Sequence, residues 1–307
     1  MKAAQRQFLD LSPEFSEFET AAAAILPVPY EGGVSYGRGT ARAPAAVIEA
    51  SAQLELFDEE LKAEPYRMGI VTVAPPALSE EPEATQQAIY RISRSLAREG
   101  KFTVLLGGDH SISTAHIKSL LDRFGHLSVL QLDAHTDLRD TYEGSAYSHA
   151  CVLSRIRELT DNTLQIGIRS MSAEEARRIA REKLPVCTMA DYRSGGFDVD
   201  TALAALPDPV FLTFDTDVLD WSVVRSTGTP EPGGFTWDEA IGLLRKVFTR
   251  KHIVGCDVVE LSADEHDRNS PFAVAKLIYK MLGLKLGAAV AEGLLDWPRH
   301  PRGSLFS

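Results

Sequence analysis

Asp133-Ala134-His135-Thr136-Asp137 sets three potential metal ligands at alternate positions. The motif follows an apolar run, Leu127 to Leu132, that reads as a buried strand. In an extended segment the side chains at i, i+2 and i+4 share a face. Asp133, His135 and Asp137 are therefore expected to converge just past a strand end. Three ionisable groups on one face are costly to bury unless they are paired or metal-bound. Other groups occupy similar places. His110 follows the apolar run Phe102 to Leu106, Asp215 and Asp217 follow Val210 to Phe214, and Glu260 follows His252 to Cys256. Read alone, His110 suits a turn or helix cap, and Asp215-Thr216-Asp217 suits capping or a solvated loop. Their shared position after strands argues for one site.

The donor types point to a metal. Asp133, Asp137, Asp215, Asp217, His110 and His135 offer four carboxylates and two imidazoles without a thiolate. Such hard and borderline donors suit Mn²⁺ best, with Co²⁺, Ni²⁺ or Fe²⁺ as other possibilities. Six ligands exceed what one catalytic ion takes from protein, whereas two ions sharing carboxylates use them economically. Four aspartates balance two divalent ions, and a hydroxide between them leaves the site negative. That favours a cationic electrophile over a phosphate ester.

Regular elements must carry these groups to one place. Strands are expected at 22–28, 68–73, 102–106, 127–132, 163–168, 185–189, 210–214 and 252–256. Helices are expected at 45–57, 83–99, 113–124, 149–159, 173–182, 199–206, 237–248 and 273–286. Short apolar strands alternating with amphipathic helices predict βαβ units. The fold class is α/β, a three-layer α/β/α arrangement around a mostly parallel sheet of about eight strands buried on both faces. In such sheets ligands bind outside the carboxyl ends of the strands. Residues 1–307 read as a single domain, with 1–20 a polar N-terminal leader. The glycine-rich loop from Tyr30 to Gly39 has neither P-loop nor GxGxxG spacing, so a nucleotide site is not indicated.

Composition limits the partners. The chain has 307 residues, of which 44% are hydrophobic and 24% charged, which is ordinary for a globular protein. Its net charge of −11 argues against nucleic acid or an anionic membrane and suits a cationic ligand. Cys151, Cys187 and Cys256 lie far apart with no CxxC pair, which fits a reducing compartment. Met1 to Glu19 does not read as a signal peptide. No apolar run approaches the roughly 20 residues of a membrane helix. A cytoplasmic location is expected.

Several motifs together carry a resemblance. Gly107-Gly108-Asp109-His110-Ser111, Asp133-Ala134-His135-Thr136-Asp137, Ser148-His149, Asp215-Thr216-Asp217, Thr227-Gly228-Thr229-Pro230-Glu231-Pro232-Gly233-Gly234 and Asp257-Val258-Val259-Glu260 closely resemble the ureohydrolase family of arginases and agmatinases. The resemblance spans about residues 24 to 286. It implies an arginase-like fold with two Mn²⁺ per subunit and hydrolysis of a guanidinium group to urea and an amine. It assigns His110, Asp133, Asp137 and Asp215 to one ion, and Asp133, His135, Asp215 and Asp217 to the other, with Asp133 and Asp215 bridging. It assigns Glu260 to pairing with the guanidinium and His149 to proton transfer from a mobile loop. It also implies a homotrimer or homohexamer. Arg139 stands where arginases carry an Asn that reads the α-carboxylate, and the loop Arg139 to His149 looks like agmatinase sequences instead. Agmatine, cleaved to putrescine and urea, is the expected substrate, with Asp140 or Glu143 as candidates to attract its distal ammonium. Aminopropylagmatine, a guanidino acid, arginine or a non-catalytic assembly role are the alternatives.

Overall fold

The computed structural model describes residues 1–291, and residues 292–307, part of the expected domain, lie outside the described residues. Eight strands form one sheet. They are β1 (Ala23–Val28), β2 (Ile70–Thr72), β3 (Phe102–Gly107), β4 (Ser128–Leu132), β5 (Thr163–Ile168), β6 (Val186–Thr188), β7 (Val210–Asp215) and β8 (Ile253–Val259). Their order across the sheet is β2-β1-β3-β8-β7-β4-β5-β6, and every pairing is parallel. Parallel strands need crossovers, and the crossovers cover both faces.

The helices are α1 (Pro13–Ser16), α2 (Ala43–Ser51), α3 (Pro82–Arg98), α4 (Ser113–Phe124), α5 (Val152–Arg157), α6 (Ala173–Glu182), α7 (Met189–Ser194), α8 (Val199–Ala205), α9 (Trp237–Arg250) and α10 (Asn269–Ala291). Alternation along the strands splits the core. Ile25, Val104 and Leu106 pack with residues of α2, α9 and α10. Leu26 and Leu105 point the other way and pack with Ile89 and Leu96 of α3. Helix starts follow local chemistry. Capping boxes Ser172/Glu175 and Thr236/Glu239 open α6 and α9, each satisfying backbone N–H groups that lack a helical partner. As predicted, α3 ends just before Gly100, whose φ is 74°.

Several expected element bounds differ, among them Met189, which opens α7 rather than closing β6. Helix α2 stops at Ser51 rather than continuing to Phe57. Leu54 and Leu56 still reach the core, but from non-helical chain, so their spacing imitated a helix. Strand β8 runs on to Val259 and contains Asp257. A charged residue hid that extension, yet its carboxylate accepts the backbone N–H of Phe214 on β7 at 3.1 Å. Residues 1–20, read as a polar leader, also contribute to the core. Phe8 is fully buried in the core. Gln7 exchanges hydrogen bonds with the backbone of Thr72 on edge strand β2, and Ala4 N donates to the Thr72 carbonyl at 2.8 Å. The segment covers an edge that would otherwise present unpaired backbone.

Candidate metal centre

Strands β3, β8, β7 and β4 are neighbours at the centre of the sheet. Their carboxyl ends deliver His110, Glu260, Asp215 and Asp133. The end of β3 passes close to the end of β1. A Cβ on Gly108 would lie 1.9 Å from the Tyr30 carbonyl oxygen, so only glycine permits the approach. Beyond it, Asp109 N donates to that same carbonyl at 3.0 Å, and the Asp109 carboxylate accepts from Gly33 N at 2.7 Å. These bonds fix the turn that starts at His110. Just past β4, Asp133 Oδ2 accepts from Gln131 Nε2 at 2.6 Å, and Gln131 in turn accepts from Gln165 Nε2 at 3.1 Å.

The same-face prediction for Asp133, His135 and Asp137 gave the right convergence by the wrong path. Strand β4 ends at Leu132, and Asp137 has φ 51°, in the left-handed region that non-glycine residues rarely adopt. A turn, not strand alternation, brings Asp137 back to the cluster. Glu260 is also left-handed, at φ 64°. Each such residue costs on the order of 1–3 kcal/mol, which persists where the surroundings over-determine the geometry.

All six expected ligands come together. His110 Nδ1 lies 3.2 Å from Asp133 Oδ2, 3.2 Å from Asp137 Oδ2 and 3.3 Å from Asp215 Oδ2. His135 Nδ1 lies 3.0 Å from Asp217 Oδ2 and 3.7 Å from Asp133 Oδ1. Two sets offer ligand atoms within 4.8 Å of one another, His110/Asp133/Asp215 and Asp133/His135/Asp217. They share Asp133. His110 Nδ1 and Asp217 Oδ2 are buried without a hydrogen-bond partner. A nitrogen nearly equidistant from three carboxylate oxygens, with hydrogen-bond geometry to none, suits a cation between them. The outer nitrogen of His110 is engaged, with Nε2 2.8 Å from Thr213 Oγ1; a proton on Nε2 leaves Nδ1 free as a ligand.

The electrostatics agree with that reading. Burial and the neighbouring Asp133 push the Asp137 carboxyl up to about 6. Burial, Asp217 and Asp133 raise Asp215 far above the ordinary carboxylate range. Burial pulls His135 down, but Asp217 and Asp133 outweigh it and carry the imidazole up to about 12. Carboxylates so close together repel unless cations or protons lie between them.

Glu260 and His149 form a second unit beside the cluster. Glu260 Oε1 accepts from His110 N at 2.7 Å and pairs with His149 Nδ1 at 3.0 Å. Glu260 Oε2 is buried without a partner, and the missing side chain of Gly228 leaves room beside it: a Cβ there would sit 3.2 Å from that oxygen. His149 Nε2 lies 2.8 Å from Ser35 Oγ. Burial disfavours the imidazolium, but the Glu260 carboxylate prevails and takes His149 up to about 9.

A cavity of about 240 Å³ opens onto Asp137, Asp215, His135 and His149, with Arg139, Tyr142 and Met171 also on its wall. Asp140 and Glu143 are not among its lining residues. The Asp140 side chain is 82% exposed and faces Arg178 at 3.3 Å and Arg155 at 4.0 Å. Glu143 is exposed in the Tyr142–Ser145 turn. Arg139 stacks on the Tyr142 ring at 4.8 Å, with Nε 3.9 Å from Glu175. Sequence reasoning gave no role to Thr213, Gln131, Ser35 or Glu175. The first two left a signal, as polar residues inside otherwise apolar strands. Ser35 left none, because its contact with His149 is long-range, and Glu175 showed only its capping-box spacing, not its bonds to Thr136 and Leu138.

The family model for the arginase family matches residues 21–283. The chain belongs to the arginase family. The N(1)-aminopropylagmatine ureohydrolase of Synechocystis sp. is 38% identical over 91% of this chain and 93% of its own length. The agmatinase of Pyrococcus horikoshii is 33% identical over 85% of this chain and 90% of its own. The solved structure of an agmatine ureohydrolase from Thermoplasma volcanium matches with a TM-score of 0.84 and 25% identity, covering 94% of this chain and 97% of that one. This arginase-family chain is a guanidino hydrolase with the family's fold.

Proposed function

We propose that the chain hydrolyses the guanidinium group of an agmatine-type cation to urea and an amine at a centre holding two Mn²⁺. His110, Asp133, Asp137 and Asp215 would hold one ion, and Asp133, His135, Asp215 and Asp217 the other, with Asp133 and Asp215 shared. The orphaned His110 Nδ1 and Asp217 Oδ2, within a donor set free of thiolate, fit that pair. When bound, the metal pair supplies the Lewis acidity that makes water a nucleophile near neutral pH.

The observation that carries the guanidinium reading is the free oxygen of Glu260. Its Oε1 is held from two sides, while Oε2 is buried and unpartnered. A guanidinium N–H donated to Oε2 makes a charge-assisted bond and fixes the electrophilic carbon against the cluster. His149 is kept protonated by the same carboxylate. It can hand its Nδ1 or Nε2 proton to the departing nitrogen, and Ser35 steadies the ring from the Nε2 side. Water adds to the guanidinium carbon, the carbon–nitrogen bond to the substrate chain breaks as that nitrogen takes the His149 proton, and urea and the amine are released.

Two substrates remain in this class. Agmatine follows from the loop between Arg139 and His149. Its N(1)-aminopropyl derivative is favoured by the name of the relative at 38% identity, and by those of two Thermus thermophilus relatives at 35%. We take the extended cation as the preferred substrate and agmatine as the second. Neither Asp140 nor Glu143 lines the cavity, so neither is assigned to the distal ammonium. The assembly expected with this activity is a trimer or hexamer. Urea release measured with Mn²⁺ across aminopropylagmatine, agmatine, arginine and guanidinobutyrate tests the reading. The highest kcat/KM is expected for aminopropylagmatine, then agmatine. No urea from any of them contradicts it.

A further inference from the structure

The two imidazoles of the cluster are supported differently. The outer nitrogen of His110 meets a buried neutral hydroxyl, that of Thr213. The outer nitrogen of His135 faces a carboxylate: Nε2 lies 3.9 Å from Glu231 Oε1. That is ion-pair distance rather than a hydrogen bond, and the Glu231 side chain is one-third exposed. Glu231 does not reach this place by its side chain alone. The guanidinium of Arg169 accounts for its position. Arg169 Nη2 donates to the Glu231 carbonyl at 2.9 Å and Nε to the Pro232 carbonyl at 3.0 Å. Nη2 also donates to the backbone carbonyl of Asp217, and Nη1 to that of Gly167 at 3.2 Å. One planar fork therefore ties the backbone of Asp217 to the loop carrying Glu231. Asp217 and Glu231 then flank His135, the first on its Nδ1 edge and the second on its Nε2 edge.

We propose that Glu231, seated by Arg169, is a positioning residue for His135 and so governs one of the two metal positions selectively. A carboxylate on the outer nitrogen holds the proton there, leaves Nδ1 free to ligate and makes it more basic. Loss of such a partner typically lowers metal affinity 10–100-fold. The effect should fall on the ion bound by His135 and Asp217, and spare the one bound by His110 and Asp137. This inference rests on the two-metal reading above.

The test is Mn²⁺ titration of the full chain by calorimetry, with metal content after dialysis and Mn²⁺ EPR as independent readouts. Wild type is compared with Glu231→Gln, which keeps the shape and removes the charge. Arg169→Lys keeps the charge and loses the fork, and should weaken the same position. The expected result is one ion per chain at wild-type affinity in Glu231→Gln, the other weakened 10–100-fold, and a mononuclear EPR signal replacing the coupled one. A Glu231→Gln chain that binds both ions as wild type does overturns the inference alone. So does one that keeps both ions and only raises KM for substrates with a distal amine, because Glu231 then reads the substrate. A wild-type chain that takes up no second ion overturns the two-metal reading and this inference with it.

Discussion

His149 is held charged chiefly by Glu260, with Asp137 and Asp109 adding to the effect. Its Nδ1 is 3.0 Å from Glu260 Oε1, and the carboxylate raises the imidazole to about 9 against the opposing pull of burial. If the protonated ring delivers the leaving-group proton, the rate must fall as pH rises through that value. Divalent cations nearby would draw the limb somewhat lower. A profile of kcat/KM against pH should therefore show an alkaline limb at or below about 9. In His149→Gln that limb should disappear and kcat drop by about 10²-fold or more, the usual contribution of a positioned acid. A limb unchanged in the variant would remove His149 from the proton path. At this scale much was legible in the sequence. The types and spacing of His110, Asp133, His135, Asp137, Asp215 and Asp217 all led to one cluster. Asp140 and Glu143 show where residue reading stopped: both are acidic and close in sequence to the cluster, but side-chain direction in an irregular loop carries no periodic signal.

At the scale of elements, the neighbours of the site are fixed by buried polar contacts as well as apolar packing. Helix α10 offers the clearest case. Lys280, 4% exposed, is 3.1 Å from Asp58, which is fully buried, and 2.9–3.0 Å from Glu60 and Glu59. Asp58 also accepts from the backbone N–H groups of Glu60 and Leu61. This pins the turn after α2 to the closing helix. Lys280→Met should leave Asp58 buried and uncompensated, costing about 3 kcal/mol, read as a lower denaturation midpoint with the metal site intact. A midpoint equal to wild type would show that the backbone donors alone suffice for Asp58. Element existence was readable because the strands are continuous apolar runs and the helices carry caps. Ends were less so. Leu54 and Leu56 lengthened α2 on paper, and Asp257 shortened β8, because a buried carboxylate with a backbone donor looks like a loop residue in sequence.

At the scale of the whole molecule, the decisive feature is strand order. Sequence places the ligands after strands three, four and seven, with Glu260 after strand eight. It does not say that β3, β8, β7 and β4 stand side by side. That adjacency results from crossovers whose destinations depend on tertiary packing, and it converts a shared rim into a single centre. Long-range pairing also explains the N-terminal segment, where Gln7 bonds to the backbone of β2 and Phe8 and Leu9 are buried although Met1 to Gln7 is mostly polar. Among the described residues, no helix is long and apolar enough to cross a membrane. In the proposed function this rim holds two ions through six side chains, with Asp215 shared. Its most direct test is metal content after Mn²⁺ loading and dialysis, for wild type and Asp215→Asn. Two Mn²⁺ per wild-type chain and no more than one in the variant, with urea release lost, is the predicted result. A wild-type chain without stoichiometric metal, or an Asp215→Asn chain retaining two ions and full rate, would contradict it.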